Sequence, residues 1–153
     1  MGLNNIELEF WNKYLSTLDE KPKNLSVRAN MAGNSELANK LLNLYLIGHK
    51  TAGSGLVKDY ENCNEQLPKV GEFWIILDSN SNPKCIVKTI KVEINTFEQV
   101  PVSIAIAEGE GDLSLDYWRK VHKVYFSPFL RDLGIDNIET AKIVTEHFEV
   151  VYK

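Results

Sequence analysis

Two cysteines in 153 residues, Cys63 and Cys85, are too few and too scattered for a disulfide framework. A reducing cytoplasm is the compartment this suggests. No apolar run approaches the roughly 20 residues that a membrane-spanning helix requires, so no membrane is expected as a partner. The amino terminus, MGLNNIELEF, has no basic segment followed by an apolar one, and a secretory leader is not expected. Met1-Gly2 begins like a myristoylation signal, but Ile6 stands where that signal needs Ser or Thr. The HxH, HExxH and CxxC patterns are all missing, so neither a metal nor another cofactor is expected. Nucleotide-binding loops of the Walker and dinucleotide types are missing too, since Gly53-x-Gly55 is too small a fragment to count. Basic charge is not in excess: the formal net charge of −4 excludes a chain that coats nucleic acid over its whole surface. It leaves room for a local basic cleft.

What is present is ordinary for a globular protein: 44% apolar and 25% charged residues, in a length suited to one core-forming domain. There are no internal repeats, low-complexity tracts or linkers. Ile6, Phe10, Trp11, Tyr14, Leu15 and Leu18 recur at three- and four-residue intervals and predict a first helix over residues 5–18. Lys21-Pro22-Lys23-Asn24 breaks it, and the polar stretch to Gly33 reads as loop with a short helix. Residues 1–30 then form a helical extension packed on a domain of residues 31–153.

A second amphipathic helix follows, with leucines at 37, 41, 42, 44 and 46, Asn34 or Ser35 as its cap, and Gly48 as its end. Gly53 to Tyr60 suggests a short strand. Phe73-Trp74-Ile75-Ile76-Leu77 is continuously apolar, as in a strand covered on both faces. Residues 84–94 alternate, and the polar turn at 79–82 predicts a hairpin between the two. Pro101 begins a helix to Ala107, Asp112 or Ser114 caps a longer one to about Tyr125, and residues 143–152 alternate as a final strand. The fold class is α+β: a small curved or closed sheet with flanking helices.

Three segments can carry chemistry. The turn Gly48-His49-Lys50-Thr51 leads into small residues, Ala52 to Gly55, whose backbone N–H groups a ligand can approach. Taken alone, Lys50 reads first as a cation that compensates a helix end and only second as a catalytic or binding lysine. The segment Ala107-Glu108-Gly109-Glu110-Gly111-Asp112 puts three carboxylates within five residues, in a pattern unlike a calcium loop. On the long helix Arg119, His122 and Lys123 share a face beside Trp118, Val121 and Tyr125, which is either simple amphipathicity or a phosphate-contacting surface. His122 suits general acid–base work. Ser127 is a polar neighbour, and His49 can touch a phosphate beside Lys50. His147 reads as structural.

The Gly48-His49-Lys50 element, the LPKVGEFWIILD segment (67–78) and AEGEGDLSLDYWRKVHKVYF (107–126) together resemble the ASCH domain family, over residues 30 to 153 and in the longer bacterial type. The resemblance implies a PUA-like β-barrel. It also implies an RNA, nucleoside or nucleotide ligand, with Lys50 and Glu110 (rather than Glu108) as functional residues and N4-acetylcytidine hydrolysis as the activity. In the small amidohydrolases of that family a threonine stands three residues after the lysine. This chain has Gly53 there, with Thr51 and Ser54 as the nearby hydroxyls. A one-residue shift along a strand reverses a side chain's face.

The expected catalytic set is therefore Lys50 as a base made available by partial burial, Glu110 as proton shuttle, and Thr51, Ser54 or a water as nucleophile. His49, Gly53, Arg119, His122, Lys123 and Ser127 are the expected ligand-binding residues. Three functions follow: a nucleoside amidohydrolase, a metal-independent ribonuclease acting on single strands, and a non-catalytic RNA-binding module.

Overall fold

The computed structural model describes residues 2–153. The elements in chain order are α1 (Asn5–Ser16), β1 (Val27–Met31), α2 (Ala38–Leu46), β2 (Ala52–Leu56), α3 (Val57–Asn62), β3 (Phe73–Leu77), β4 (Pro83–Thr96), α4 (Val102–Glu108), α5 (Leu115–Leu130) and β5 (Lys142–Tyr152). Short 3-10 turns occupy Phe97–Gln99 and Ile138–Thr140. The five strands form one mixed sheet in the order β1-β3-β4-β5-β2. The α+β expectation, a sheet with flanking helices, is met. The chain divides into two compact units, and β4 and β5 each run from one into the other.

The first unit contains the chain up to Gly48, Val70–Ile90 and Phe148–Lys153. Its centre is β3, all five residues of which are buried. The period of two along a strand explains the unbroken apolar run. Phe73, Ile75 and Leu77 pack with Trp11 and Tyr14 of α1 and with Ile86. Trp74 and Ile76 join Leu41, Leu42 and Tyr45 of α2, together with Val87 and Phe148. Helices on both faces leave no position for a polar side chain. α1 starts at a capping box in which Asn4 and Glu7 exchange side-chain-to-backbone bonds of 2.9 Å. α2 instead has Leu37 at its cap position with no side-chain bond, and Asn34 accepts the Leu37 N–H one turn earlier.

Residues 27–31, expected as loop or short helix, form an edge strand that pairs in parallel with β3, Val27 opposite Phe73. The alternation of Val27, Ala29 and Met31 with Arg28 and Asn30 was the signal. Its few moderate apolar residues are weak because the pairing partner is nonlocal. The β3–β4 hairpin is antiparallel as expected, with Pro83 at the strand's first position, where its missing N–H is tolerated.

The second unit contains His49–Lys69 and Lys91–His147. β2 pairs antiparallel with β5, placing Ser54 opposite Thr145 and Ala52 opposite His147. The strand expected to reach Tyr60 stops at Leu56, and residues 57–62 are helical. Lys58, Asp59 and Glu61 favour a solvated helical turn once Val57 is buried. The core of this unit gathers Leu56, Phe97, Ile104, Ala105, Trp118, Phe126 and Ile143. Ser114 caps α5 by accepting the Tyr117 N–H at 3.0 Å. α5 runs past the expected end at Tyr125 to Leu130, with Pro128 inside it. Proline cannot donate to the carbonyl four residues back, that of Val124. The Ser127 hydroxyl donates to that carbonyl instead, at 3.4 Å, and the helix continues.

Candidate active site

The site lies within the second unit and depends first on a glycine. α4 ends at Glu108, and Gly109 follows with φ of +69°. A Cβ on Gly109 would lie 1.9 Å from the His49 carbonyl oxygen, so only glycine lets these two backbones touch. The contact is fastened by the Thr51 N–H, which donates to the Ala107 carbonyl at 2.7 Å. The Thr51 hydroxyl donates to the same oxygen at 3.3 Å. Segments far apart in sequence are thereby joined at Lys50.

Lys50 is 4% exposed. Its Nζ is 3.2 Å from Glu108 Oε1 and 3.1 Å from Glu110 Oε2, and it also donates to the Glu108 carbonyl at 3.3 Å. Glu110 is the more open of the two acids, at 20% side-chain exposure against 3% for Glu108. Two carboxylates this close stabilise the charged ammonium over the free amine. The arrangement suits Lys50 to hold developing negative charge or to donate a proton, more than to serve as the expected base.

Glu108 is fully engaged. Its Oε2 accepts the Ser54 hydroxyl at 2.7 Å and the Trp118 indole N–H at 2.5 Å. Its Oε1 faces Lys50 and, at 3.4 Å, His122 Nε2. Burial by itself would push this carboxyl up, but the Lys50 ammonium, His122 and the Trp118 donor outweigh it and bring the pKa down to about 2. Glu108 is an anion and a weak proton acceptor at neutral pH.

The hydroxyl chain has a direction. A carboxylate only accepts, so the Ser54 proton points at Glu108, and the Thr145 hydroxyl, 2.7 Å from Ser54 Oγ, must be the donor in that contact. His122 Nδ1 lies 2.8 Å from the Trp118 carbonyl and therefore donates, while its ring stacks on the Trp118 indole with centroids 4.1 Å apart. Trp118, His122 and Thr145 are all buried. A small recess bordered by Glu108, Glu110, Ser114, Tyr117 and His122 opens beside the cluster. Tyr117 lies across Gly111, where a Cβ would come within 2.5 Å of its ring.

Of the expected site residues, Lys50, Glu110, Ser54 and His122 come together. Thr51 adjoins them with its hydroxyl turned to the α4 carbonyl. His49 is exposed and contributes its backbone to the Gly109 contact. Gly53 pairs with Glu146, one step along β2 from Ser54 and so on the opposite face. Arg119 donates to the Glu98 carbonyl at 2.8 Å, Lys123 pairs with Glu139 at 2.7 Å, and Ser127 completes α5. These three are not gathered at Lys50.

The expected site left out Glu108 and Trp118, which were weighed and set aside, and Thr145, which was not considered; the structure groups all three with Ser54 and His122. For Glu108 a signal existed: it is the last residue of an otherwise apolar helix, directly before the left-handed Gly109. Thr145 could be found only through the β2–β5 register. Among the described residues, no three His, Cys, Asp or Glu side chains are grouped to hold a metal ion, and no helix is long and apolar enough to cross a membrane.

The mixed five-stranded sheet with flanking helices is a PUA-like fold, as its match to ASCH domain structures shows, and here it carries a buried lysine between two glutamates. Residues 28–152 match the family described as the ASCH domain, and the chain belongs to that family. The chain is similar to the ASCH domain structure from Lactobacillus crispatus, with 32% identity and a TM-score of 0.92 over 100% of this chain and 98% of the other. A protein structure from Enterococcus faecalis is 36% identical, with a TM-score of 0.82 over 97% of this chain and 88% of that one. A mutant ASCH protein from Zymomonas mobilis shares the fold at 9% identity and a TM-score of 0.50, covering 80% of this chain and 67% of that one. No curated protein matches the sequence.

Proposed function

We propose that the protein binds a modified nucleoside or nucleotide unit, free or in RNA, at the Lys50/Glu110 cleft and hydrolyses an amide on it, as in N4-acetylcytidine. The observation that carries this reading is the Lys50 ammonium held 3.1 Å from Glu110 beside a fully satisfied Glu108. Water is the nucleophile. The Ser54 proton is committed to Glu108, whose pKa of about 2 makes it a poor base, and the Thr51 hydroxyl is committed to a carbonyl.

Glu110, the accessible carboxylate, takes a proton as water oxygen bonds to the acyl carbon. Lys50 stabilises the oxyanion that forms. The carbon–nitrogen bond then breaks, and the proton on Glu110 passes to the departing exocyclic amine, leaving acetate and cytidine. Glu108, Ser54 and Thr145 hold Lys50 in place without touching the substrate.

The test is metal-free turnover of N4-acetylcytidine and of a short single-stranded RNA, by the wild type and by Lys50→Ala. Deacetylation that falls at least ~100-fold in the variant sustains the reading. Lysine-dependent RNA cleavage without deacetylation replaces it with a ribonuclease. Binding of RNA without any turnover replaces it with a non-catalytic module.

A further inference from the structure

The recess beside Lys50 and Glu110 lies between α4 and α5, and its size restricts what can enter it. Ala105, Trp118 and His122 form its buried floor, while Glu110, Tyr117 and Val121 stand half-buried at its mouth. Trp118, Val121 and His122 share one face of α5 by their three- and four-residue spacing. The recess leaves about 10 Å³ of room for the centre of a water-sized sphere, space for one such group. A pyrimidine ring cannot enter.

Nor does the recess suit a water molecule, which needs about two to four polar partners. Both Glu108 oxygens are turned to Lys50, Ser54, Trp118 and His122. The Trp118 N–H is spent on Glu108, and the His122 Nδ1 proton on the Trp118 carbonyl. Ala105 and Val121 present only hydrocarbon, with the rings of Trp118 and Tyr117 beside them. A methyl group, slightly larger than water, asks for no polar partner and gains by leaving solvent.

An amide carbon carries three substituents in one plane. With its oxygen at the Lys50 ammonium and the attacking water at Glu110, its nitrogen must lead outward, because the nucleoside does not fit within. The third substituent, the acyl chain, then has the recess to occupy. We infer that this recess seats the acyl group of the substrate, and that Ala105 and Val121 restrict it to acetyl and exclude longer chains. The choice of substrate rests on the hydrolase reading above.

The experiment measures kcat/KM for N4-acetylcytidine and N4-butanoylcytidine with the wild type, Val121→Ala and Val121→Thr. Both substrates are alkyl amides of the same base, so their intrinsic reactivity is alike. The wild type is expected to lose about tenfold in kcat/KM for each added methylene. Val121→Ala removes both branch carbons and favours the helix, and it should recover about tenfold of that loss relative to the acetyl substrate. Val121→Thr keeps the shape of valine and should keep the wild-type discrimination, which separates room in the recess from a disturbed helix. Equal kcat/KM for the two substrates in the wild type, an unchanged ratio in Val121→Ala, or lost discrimination in Val121→Thr would overturn the proposal. If the wild type hydrolyses neither nucleoside, the hydrolase reading alone has failed, and calorimetric binding of the two acylcytidines decides. Tighter binding of N4-acetylcytidine, with the difference narrowed in Val121→Ala, upholds the acyl seat; equal or undetectable binding overturns it.

Discussion

Glu108 shows how much a single buried charge can organise. Its two oxygens serve Lys50, Ser54, Trp118 and His122, and removing its charge leaves Lys50 without its nearest buried counter-ion. We expect Glu108→Gln to destabilise the fold by about 3–5 kcal/mol, the usual penalty for breaking a buried ion pair from one side. Urea denaturation at neutral pH measures it. The same residue predicts a pH dependence. Its folded pKa, about 2, lies below the ordinary value of 4.5. The stabilisation is therefore complete above that ordinary value and is lost as pH falls toward 2. The wild type's urea midpoint should fall across this window, and Glu108→Gln should show a shallower fall.

At the scale of elements, the junction between α4 and the Lys50 turn depends on backbone contact. Gly109 has a left-handed backbone and no room for a Cβ, whereas Gly134 has a similar φ of +66° with nothing within 4 Å. Gly134→Ala should cost only the left-handed penalty, roughly 1–2 kcal/mol. Gly109→Ala should cost that and the clash with the His49 carbonyl, lowering Tm by clearly more. It should also reduce deacetylation, because Lys50 is displaced from Glu110. Equal Tm losses in the two variants would show that the junction yields easily. In the first unit, Ile75 and Ile76 fill opposite faces of β3 and are fully buried. Truncating either to alanine should cost ~2–5 kcal/mol, read by denaturant titration.

Over the whole molecule the relevant quantity is charge. The net charge of −4 disfavours broad attraction to a polyanion. Arg119 and Lys123 are engaged with Glu98 and Glu139. Turnover of a neutral nucleoside should accordingly change little from low to high salt. A steep decline with salt would instead point to phosphate contacts and counterion release.

Local pattern determined much of this protein. Apolar periodicity located both N-terminal helices, the doubly covered β3 and its hairpin with β4. These features are legible because hydrophobic spacing and glycine placement act over a few neighbouring residues. Lys50 and Glu110 came forward as a pair through the resemblance of the Gly48-His49-Lys50 and EGEGD segments to the ASCH family, not through spacing. β1 escaped because a short parallel edge strand takes its hydrogen bonds from β3, more than forty positions away. Tertiary structure alone decided that Glu108 is the buried hub and that Thr145 and His147 share a face with Ser54. Each depends on a strand register or a close backbone approach, and neither is written in the spacing of any one segment.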